Sequence, residues 1–181
     1  REDIDALCYG TGRPFVMEMA NPKIRTADLR ELEEAINKSA MPEVEVRLES
    51  WSNKKTVEML KSHKGHKTYR ILVSVDDRIS LENVQNAVSK LNGAWIAQRT
   101  PNRVSHRRAD LVRKRQVIGI QVLGIENGLY RLEVVGDSGL YIKELISGDE
   151  GRTSPSLSEI LAAPAKVTEL DVVQGDGLSN T

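Results

Sequence analysis

The chain has 181 residues, enough for one domain that buries roughly two thirds of the surface its unfolded form exposes. Its 26 Lys and Arg residues balance 26 Asp and Glu residues, so net charge alone does not indicate a polyanionic partner. The single cysteine excludes an intrachain disulfide and a multi-cysteine zinc site, and we expect a reducing, cytoplasmic environment. No apolar run approaches the roughly 20 residues that span a bilayer, so no membrane partner is expected.

The first third of the chain is predicted to contain two strands and two helices. Residues 14–19 and 44–51 alternate apolar and polar side chains, as half-buried strands do. Residues 26–38 show helical spacing of apolar side chains behind two possible capping residues. A shorter helix is predicted over residues 55–62 by the same spacing.

The remaining two thirds is predicted to mix strands and helices without strict alternation. Strands are expected over residues 68–75, 94–98, 116–125, 129–135 and 165–173, and helices over residues 81–91, 141–146 and 155–161. Asn127-Gly128 favours a type I′ turn, which makes the two strands beside it an antiparallel hairpin. The predicted fold class is α+β, with a mixed, largely antiparallel sheet and flanking helices. We expect one domain over residues 1–174 and a flexible tail over residues 175–181.

Charge is concentrated in residues 98–115, called the basic segment below. This segment contains seven Lys or Arg residues and one acid, Asp110, and such a patch is typical of a surface that contacts phosphate. Many charge runs are only solvated surface, but this one is stiffened by Pro101. Four side chains crowd together after it and are expected to bind RNA phosphate or stack on a base: Arg103, His106, Arg107 and Arg108.

Four sequence blocks in order carry a family resemblance. They are Arg1-Glu2-Asp3-Ile4-Asp5 with Gly10-Thr11-Gly12-Arg13-Pro14-Phe15, His66-Lys67-Thr68-Tyr69, residues 99–108 and residues 139–157. The first block resembles the catalytic motif of pseudouridine synthases. Together the blocks resemble the archaeal and eukaryotic tRNA pseudouridine synthase family called Pus-ten. The resemblance covers nearly the whole chain but departs from the family at Leu7, where an arginine is usual.

The resemblance implies a pseudouridine synthase catalytic domain that isomerises uridine in the TΨC loop of tRNA, at position 55 and in archaeal relatives also at position 54. It implies that Asp3 attacks C1′ or removes the C2′ proton, and that Tyr69 packs on the detached base. Lys143 stands where related synthases carry a basic residue that pairs with the catalytic aspartate. We expect these three residues to converge on one cleft bordered by the basic segment. The isomerisation needs no redox centre, so no cofactor and no metal are expected.

Further residues are expected near the substrate. Leu145 would provide apolar lining beside the ion pair, and Arg13 and Arg152, each next to a turn, would contact RNA. Asp5 lies two residues from Asp3 and faces the opposite side of an extended segment, so it is expected to be structural. The expected partner is tRNA, whose target uridine is flipped out of its stack. The protein is expected to be a monomer without a nucleotide cofactor, and a THUMP-type RNA-binding module is expected upstream.

Two other functions are considered. A non-catalytic tRNA-binding module would use the basic segment without converting uridine, and an activity measurement separates it from a synthase. A glycoside hydrolase would use Asp3 and Asp5 as its acid pair. That function is disfavoured because sugar grooves are usually rich in aromatic residues, and these make up 4% of this chain.

Overall fold

The computed structural model describes residues 6–10, 12–62 and 65–175, which belong to two compact units. The first, called the sheet unit, combines the described N-terminal residues up to Arg13 with residues 65–175. The second, called the helical unit, comprises residues 14–62.

The described residues of the sheet unit form a seven-stranded mixed sheet. Its strands are β1 (Leu7–Cys8), β2 (His66–Val75), β3 (Trp95–Arg99), β4 (Val112–Glu126), β5 (Leu129–Asp137), β6 (Thr153–Ser154) and β7 (Ala165–Gly175). The spatial order is β1-β7-β2-β5-β4-β3-β6. The β1–β7 pair is parallel and the other neighbouring pairs are antiparallel. This sheet and its helices confirm the predicted α+β class.

Five α-helices occur in the described residues. They are α1 (Leu29–Ala40), α2 (Lys54–Ser62), α3 (Leu81–Leu91), α4 (Ile142–Ser147) and α5 (Leu157–Leu161). All five were predicted within a few residues of their ends, the first three from apolar spacing and the last two from the turn residues beside them. The caps explain two of the starts: Asp28 Oδ1 accepts a hydrogen bond from the Arg30 N–H, and Ser80 Oγ accepts one from the Asn83 N–H. Of these described helices, none is long and apolar enough to cross a membrane.

The hairpin predicted from Asn127-Gly128 is confirmed. Asn127 has φ 49° and Gly128 has φ 80°, the positive values that a type I′ turn requires at both central residues. The two strands pair from Glu126 opposite Leu129 back to Val117 opposite Gly136. Local turn chemistry therefore sets where the β4–β5 ladder begins.

The core of the sheet unit lies between one face of the sheet and helices α3, α4 and α5. Along β2, Tyr69, Ile71 and Val73 are buried, so inward residues alternate along the strand. The three helices add buried apolar residues to the same cluster: Val84, Ala87, Val88, Leu91, Ile142, Leu145, Ile146 and Leu157. This packing fixes α4 against the sheet next to β7.

The strands predicted over residues 14–19 and 44–51 are wrong, because neither segment pairs with a strand. In the second segment, side chains of α1 take the place of a partner strand. The Val46 N–H donates to Asn37 Oδ1 at 2.8 Å, and the Leu48 N–H donates to Glu33 Oε2 at 2.6 Å. Alternating polarity indicates an extended chain, but it does not supply a neighbouring strand.

The basic segment is not a simple loop. Its ends belong to β3 and β4, and residues Asn102–Arg107 form a 3₁₀ helix between them. A second 3₁₀ helix, Asp149–Gly151, follows α4. At the C-terminus β7 continues through Gly175, and the rest of the predicted tail lies outside the described residues.

Candidate active site

Asp3 and Asp5 lie outside the described residues, so the pairing of Asp3 with Lys143 stays a prediction. The first described strand after them in the sequence is β1. In it, Leu7 pairs with Asp171 and Cys8 pairs with Val172 of β7. Leu7, where the family resemblance predicts an arginine, is 57% exposed.

Tyr69 lies on β2 in the interior of the sheet. It pairs with Val134 of β5 on one side and Val172 of β7 on the other. Since Val172 also pairs with Cys8, Tyr69 is two strand spacings, about 10 Å, from the end of β1. The side chain is 3% exposed and belongs to the core, so packing fixes the position of the ring.

Lys143 lies in the first turn of α4 and is partly buried. Its helix neighbours Ile142 and Leu145 are buried, and Leu145 is in the same apolar cluster as Tyr69. The helix ends at Gly148, which has φ 78° and donates its N–H to the Glu144 carbonyl at 2.8 Å. The Lys143 backbone is thus held in a short helix packed on the core.

Gln98, at the start of the basic segment, binds the backbone just before Lys143. Its Nε2 donates to the Tyr141 carbonyl at 3.0 Å, and its Oε1 accepts from the Tyr141 N–H at 2.9 Å. The side chain is fully buried on the inward side of β3, two residues after Ile96. Sequence reasoning missed this contact, although a glutamine at an inward strand position was the available signal.

Arg103 binds Glu144, the residue after Lys143. The Nε of Arg103 donates to Oε1 at 2.7 Å and Nη2 donates to Oε2 at 3.2 Å, so both carboxylate oxygens are engaged. The Glu144 side chain is 6% exposed and that of Arg103 is 34% exposed. This buried pair was also missed, because the two residues lie 41 positions apart in the sequence.

The other predicted RNA contacts in and just after the 3₁₀ helix, His106, Arg107 and Arg108, are all exposed. Arg108 Nη1 donates to the Tyr141 hydroxyl at 3.1 Å, and its guanidinium lies 5.9 Å from the centre of that ring. The structure therefore brings the basic segment directly beside α4, the helix that carries Lys143.

Arg152 contacts two residues of the basic segment, Thr100 and Asp110. Its side chain is 21% exposed, and Nη2 donates to the Thr100 carbonyl at 2.7 Å and lies 3.3 Å from Asp110 Oδ1. Arg99 binds both oxygens of Asp110, and these hydrogen bonds hold the pKa of Asp110 below its usual value. Arg13, the remaining predicted contact, is partly buried in the sheet unit.

A solved structure contains a chain with a similar fold. A chain in the structure titled "Crystal Structure of a Cbf5-Nop10-Gar1 Complex" matches with a TM-score of 0.50 and 25% identity, over 60% of this chain and 30% of that chain. Two curated relatives are named tRNA pseudouridine synthase Pus10. The Methanothrix thermoacetophila protein is 46% identical over 99% of this chain and 40% of its own length. The Pyrococcus furiosus protein is 44% identical over 96% of this chain and 44% of its own length.

These matches define the fold as the catalytic-domain type of pseudouridine synthases, as predicted. The family model described as Pus10, C-terminal, matches residues 1–176. The chain belongs to the Pus10 family and corresponds to its C-terminal part. It spans less than half the length of these two relatives.

Proposed function

We propose that the protein is a tRNA pseudouridine synthase that isomerises uridine in the TΨC loop, at position 55 and also at position 54. The similarity to relatives named tRNA pseudouridine synthase, over nearly the whole chain, is the observation that carries this proposal. The contact between the basic segment and α4 supports it, because a surface for RNA phosphates then borders the predicted Lys143 site. The proposed catalytic domain is residues 1–174, and the proposed setting is a cytoplasmic monomer with tRNA as partner.

The chemistry requires a carboxylate at the sugar. The N1–C1′ bond breaks, the base turns, a C5–C1′ bond forms, and the C5 proton leaves while N1 gains one. Asp3 either attacks C1′ or removes the C2′ proton, and each route needs its ionised form. A cation within ion-pair reach favours that form, which is the proposed role of Lys143.

The position of Asp3 in the sequence is compatible with this role. Asp3 precedes Leu7 of β1 by four residues, a length of chain that spans at most about 14 Å. Strand β1 pairs with β7, which also pairs with β2 and packs against α4. The strand after Asp3 is therefore tied to the elements that carry Tyr69 and Lys143.

The base is proposed to stack on Tyr69, because a planar ring holds a turning base without fixed hydrogen bonds. The ring is 3% exposed, so the base reaches it only when neighbouring side chains move aside. We therefore propose that tRNA binding opens the space beside β2. Leu145, fully buried in the same cluster, would line that space.

The tRNA backbone is proposed to lie along the exposed side of the 3₁₀ region. Arg107 and His106 are exposed there, and Arg108 lies beside them over Tyr141. Arg13 is proposed as a further contact. For Arg152, whose side chain is mostly buried against Thr100 and Asp149, we propose that it supports the RNA surface from behind.

The test compares Asp3→Asn with Asp5→Asn in the full-length protein. We expect Asp3→Asn to abolish pseudouridine formation in a TΨC-loop uridine, because the amide can act neither as nucleophile nor as base. Its dissociation constant for tRNA should stay within about twofold of the unmodified protein, since the amide has the shape of the acid. Asp5→Asn should retain substantial turnover.

Full activity of Asp3→Asn would contradict the catalytic assignment. A second candidate, tRNA binding without catalysis, is supported by the basic segment alone. It would be established if the unmodified full-length protein bound tRNA tightly and formed no pseudouridine.

A further inference from the structure

Glu144 is a charged residue in a place where an unpaired charge is costly. Its side chain is 6% exposed and it lies in a helix packed on the core. Removing an ionised carboxylate from water costs several kcal/mol unless a partner compensates. Arg103 supplies that partner, and its planar fork engages both oxygens. A two-point contact of this kind fixes the orientation of the helix as well as the charge.

The same helix is held at a second place. Gln98 binds both backbone groups of Tyr141, and Arg108 binds the hydroxyl of that residue. Tyr141 is the N-cap residue of α4 and Glu144 lies in its first turn, so the two anchored residues flank Lys143 in the sequence. Helix α4 has only six residues, and a helix this short is not stable by itself. Contacts from the basic segment therefore contribute to where Lys143 is placed.

We propose that Arg103 is a positioning residue, which holds Glu144 and thereby sets the location of Lys143 in the active site. This inference rests on the proposed pseudouridine synthase activity. It assigns to Arg103 a part in turnover rather than in tRNA affinity. If Arg103 released Glu144 in order to bind a phosphate, the buried Glu144 carboxylate would lose its partner. The Arg103 guanidinium therefore stays on Glu144 when RNA binds.

The experiment uses four variants of the full-length protein with a transcribed tRNA. Arg103→Gln removes the fork, Arg103→Lys keeps the charge without the fork, and Arg103→Gln combined with Glu144→Gln removes both charges. Arg107→Gln is the matched control, because it neutralises an exposed arginine four residues further along. Three quantities are measured for each: the single-turnover rate at saturating tRNA, the dissociation constant across salt concentrations, and the thermal midpoint.

We expect Arg103→Gln to lower the single-turnover rate by about tenfold or more, because a small misplacement of a catalytic group is enough for such an effect. Its salt slope for tRNA binding should equal that of the unmodified protein. Arg103→Lys should recover part of the rate, since one point charge cannot engage both oxygens. The double variant should have a higher thermal midpoint than Arg103→Gln, because no unpaired buried charge remains. Arg107→Gln, the reference for a lost phosphate contact, should reduce the salt slope by about 0.7 to 0.9.

Two results would overturn the proposal. A salt slope reduced by Arg103→Gln as much as by Arg107→Gln would make Arg103 a phosphate contact. A lower thermal midpoint with an unchanged saturated rate would make the pair structural only. If the unmodified protein formed no pseudouridine, the proposed function would be refuted, and the role of Arg103 with it. That outcome is visible before any variant is compared.

Discussion

Tyr69 has a side chain whose apolar and polar parts can be tested separately. The ring is part of the core, where it lies in the same cluster as Leu145 and Val172. The hydroxyl contributes little to apolar packing, but it is the group that could accept the C5 proton in the proposed reaction. Removing only the hydroxyl therefore distinguishes a catalytic tyrosine from one that serves packing alone.

We expect Tyr69→Phe to lower pseudouridine formation by about 10² or more, the usual contribution of a positioned acid or base. The dissociation constant for tRNA should change little, because the ring and its packing remain. Single-turnover assays with saturating tRNA measure the first quantity. Tyr130→Phe is a suitable control, since this second buried strand tyrosine donates to the Ile79 carbonyl on the same sheet unit. A normal rate for Tyr69→Phe would leave the residue with a stacking role only.

At the scale of elements, the β4–β5 ladder contains three glycines, of which Gly136 and Gly119 have different surroundings. A Cβ on Gly136 would lie 2.4 Å from Cδ2 of Leu140 and 3.4 Å from the Gln116 carbonyl oxygen. Leu140 is buried, so it cannot swing away from the new methyl group without disturbing the core. A Cβ on Gly119 would meet Val135 at 3.9 Å, an ordinary contact distance.

We expect Gly136→Ala to destabilise the fold by about 1 to 3 kcal/mol, the usual cost of overpacking a buried site. Gly119→Ala should leave stability unchanged or raise it by up to about 1 kcal/mol, since the alanine restricts the unfolded chain. Urea unfolding of both variants, with the slopes compared, provides the measurement. Equal urea midpoints for the two variants would show that Leu140 moves to accommodate the added methyl group at little cost in stability.

Elements whose signals are local were predictable from the sequence. Asn127-Gly128 predicted the hairpin, because this turn acts through neighbours within four residues. The short strand β1 was not predicted, since two residues carry no periodicity and its partner β7 lies more than 160 positions away in the sequence. The prediction of a strand over residues 44–51 was wrong because local polarity does not show what the backbone pairs with. Its polarity pattern was correct, but Asn37 and Glu33 satisfy its backbone instead of another strand.

The candidate site was predictable only in part. The family resemblance singled out Tyr69 and Lys143, and charge clustering singled out the basic segment. The contacts that join the basic segment to α4 were not foreseen, because Gln98 and Arg103 contact residues more than 40 positions later in the chain. A charged cluster in a sequence does not show which of its members face solvent and which are enclosed.

At the scale of the whole molecule, the chain has no net charge, yet we propose that it binds tRNA, a polyanion, through the basic segment. Balanced total charge gives no long-range attraction, so affinity for tRNA should depend on the few exposed cations of the basic segment. Arg107 and Arg108 are exposed there, whereas Arg103 and Arg152 are mostly engaged with Glu144 and with Thr100 and Asp149.

We expect Arg107→Gln combined with Arg108→Gln to weaken tRNA binding and to reduce the slope of log affinity against log salt by about 0.7 to 0.9 for each phosphate that is no longer neutralised. Arg78→Gln is the control, because Arg78 is a highly exposed arginine outside the basic segment, paired with Asp76. Filter binding over a range of salt concentrations gives both slopes. An unchanged slope in the double variant would mean that this surface faces away from the RNA.

The carboxamide of Gln98 behaves as a surrogate peptide group. It offers one donor and one acceptor to the backbone of Tyr141, as the peptide group of another residue would, and it does so from the buried face of β3. Glutamate in its ionised form could not donate, and leucine would leave both backbone groups of Tyr141 without these side-chain partners. Few other side chains could therefore supply both hydrogen-bonding groups at this position, although Gln98 itself performs no chemistry.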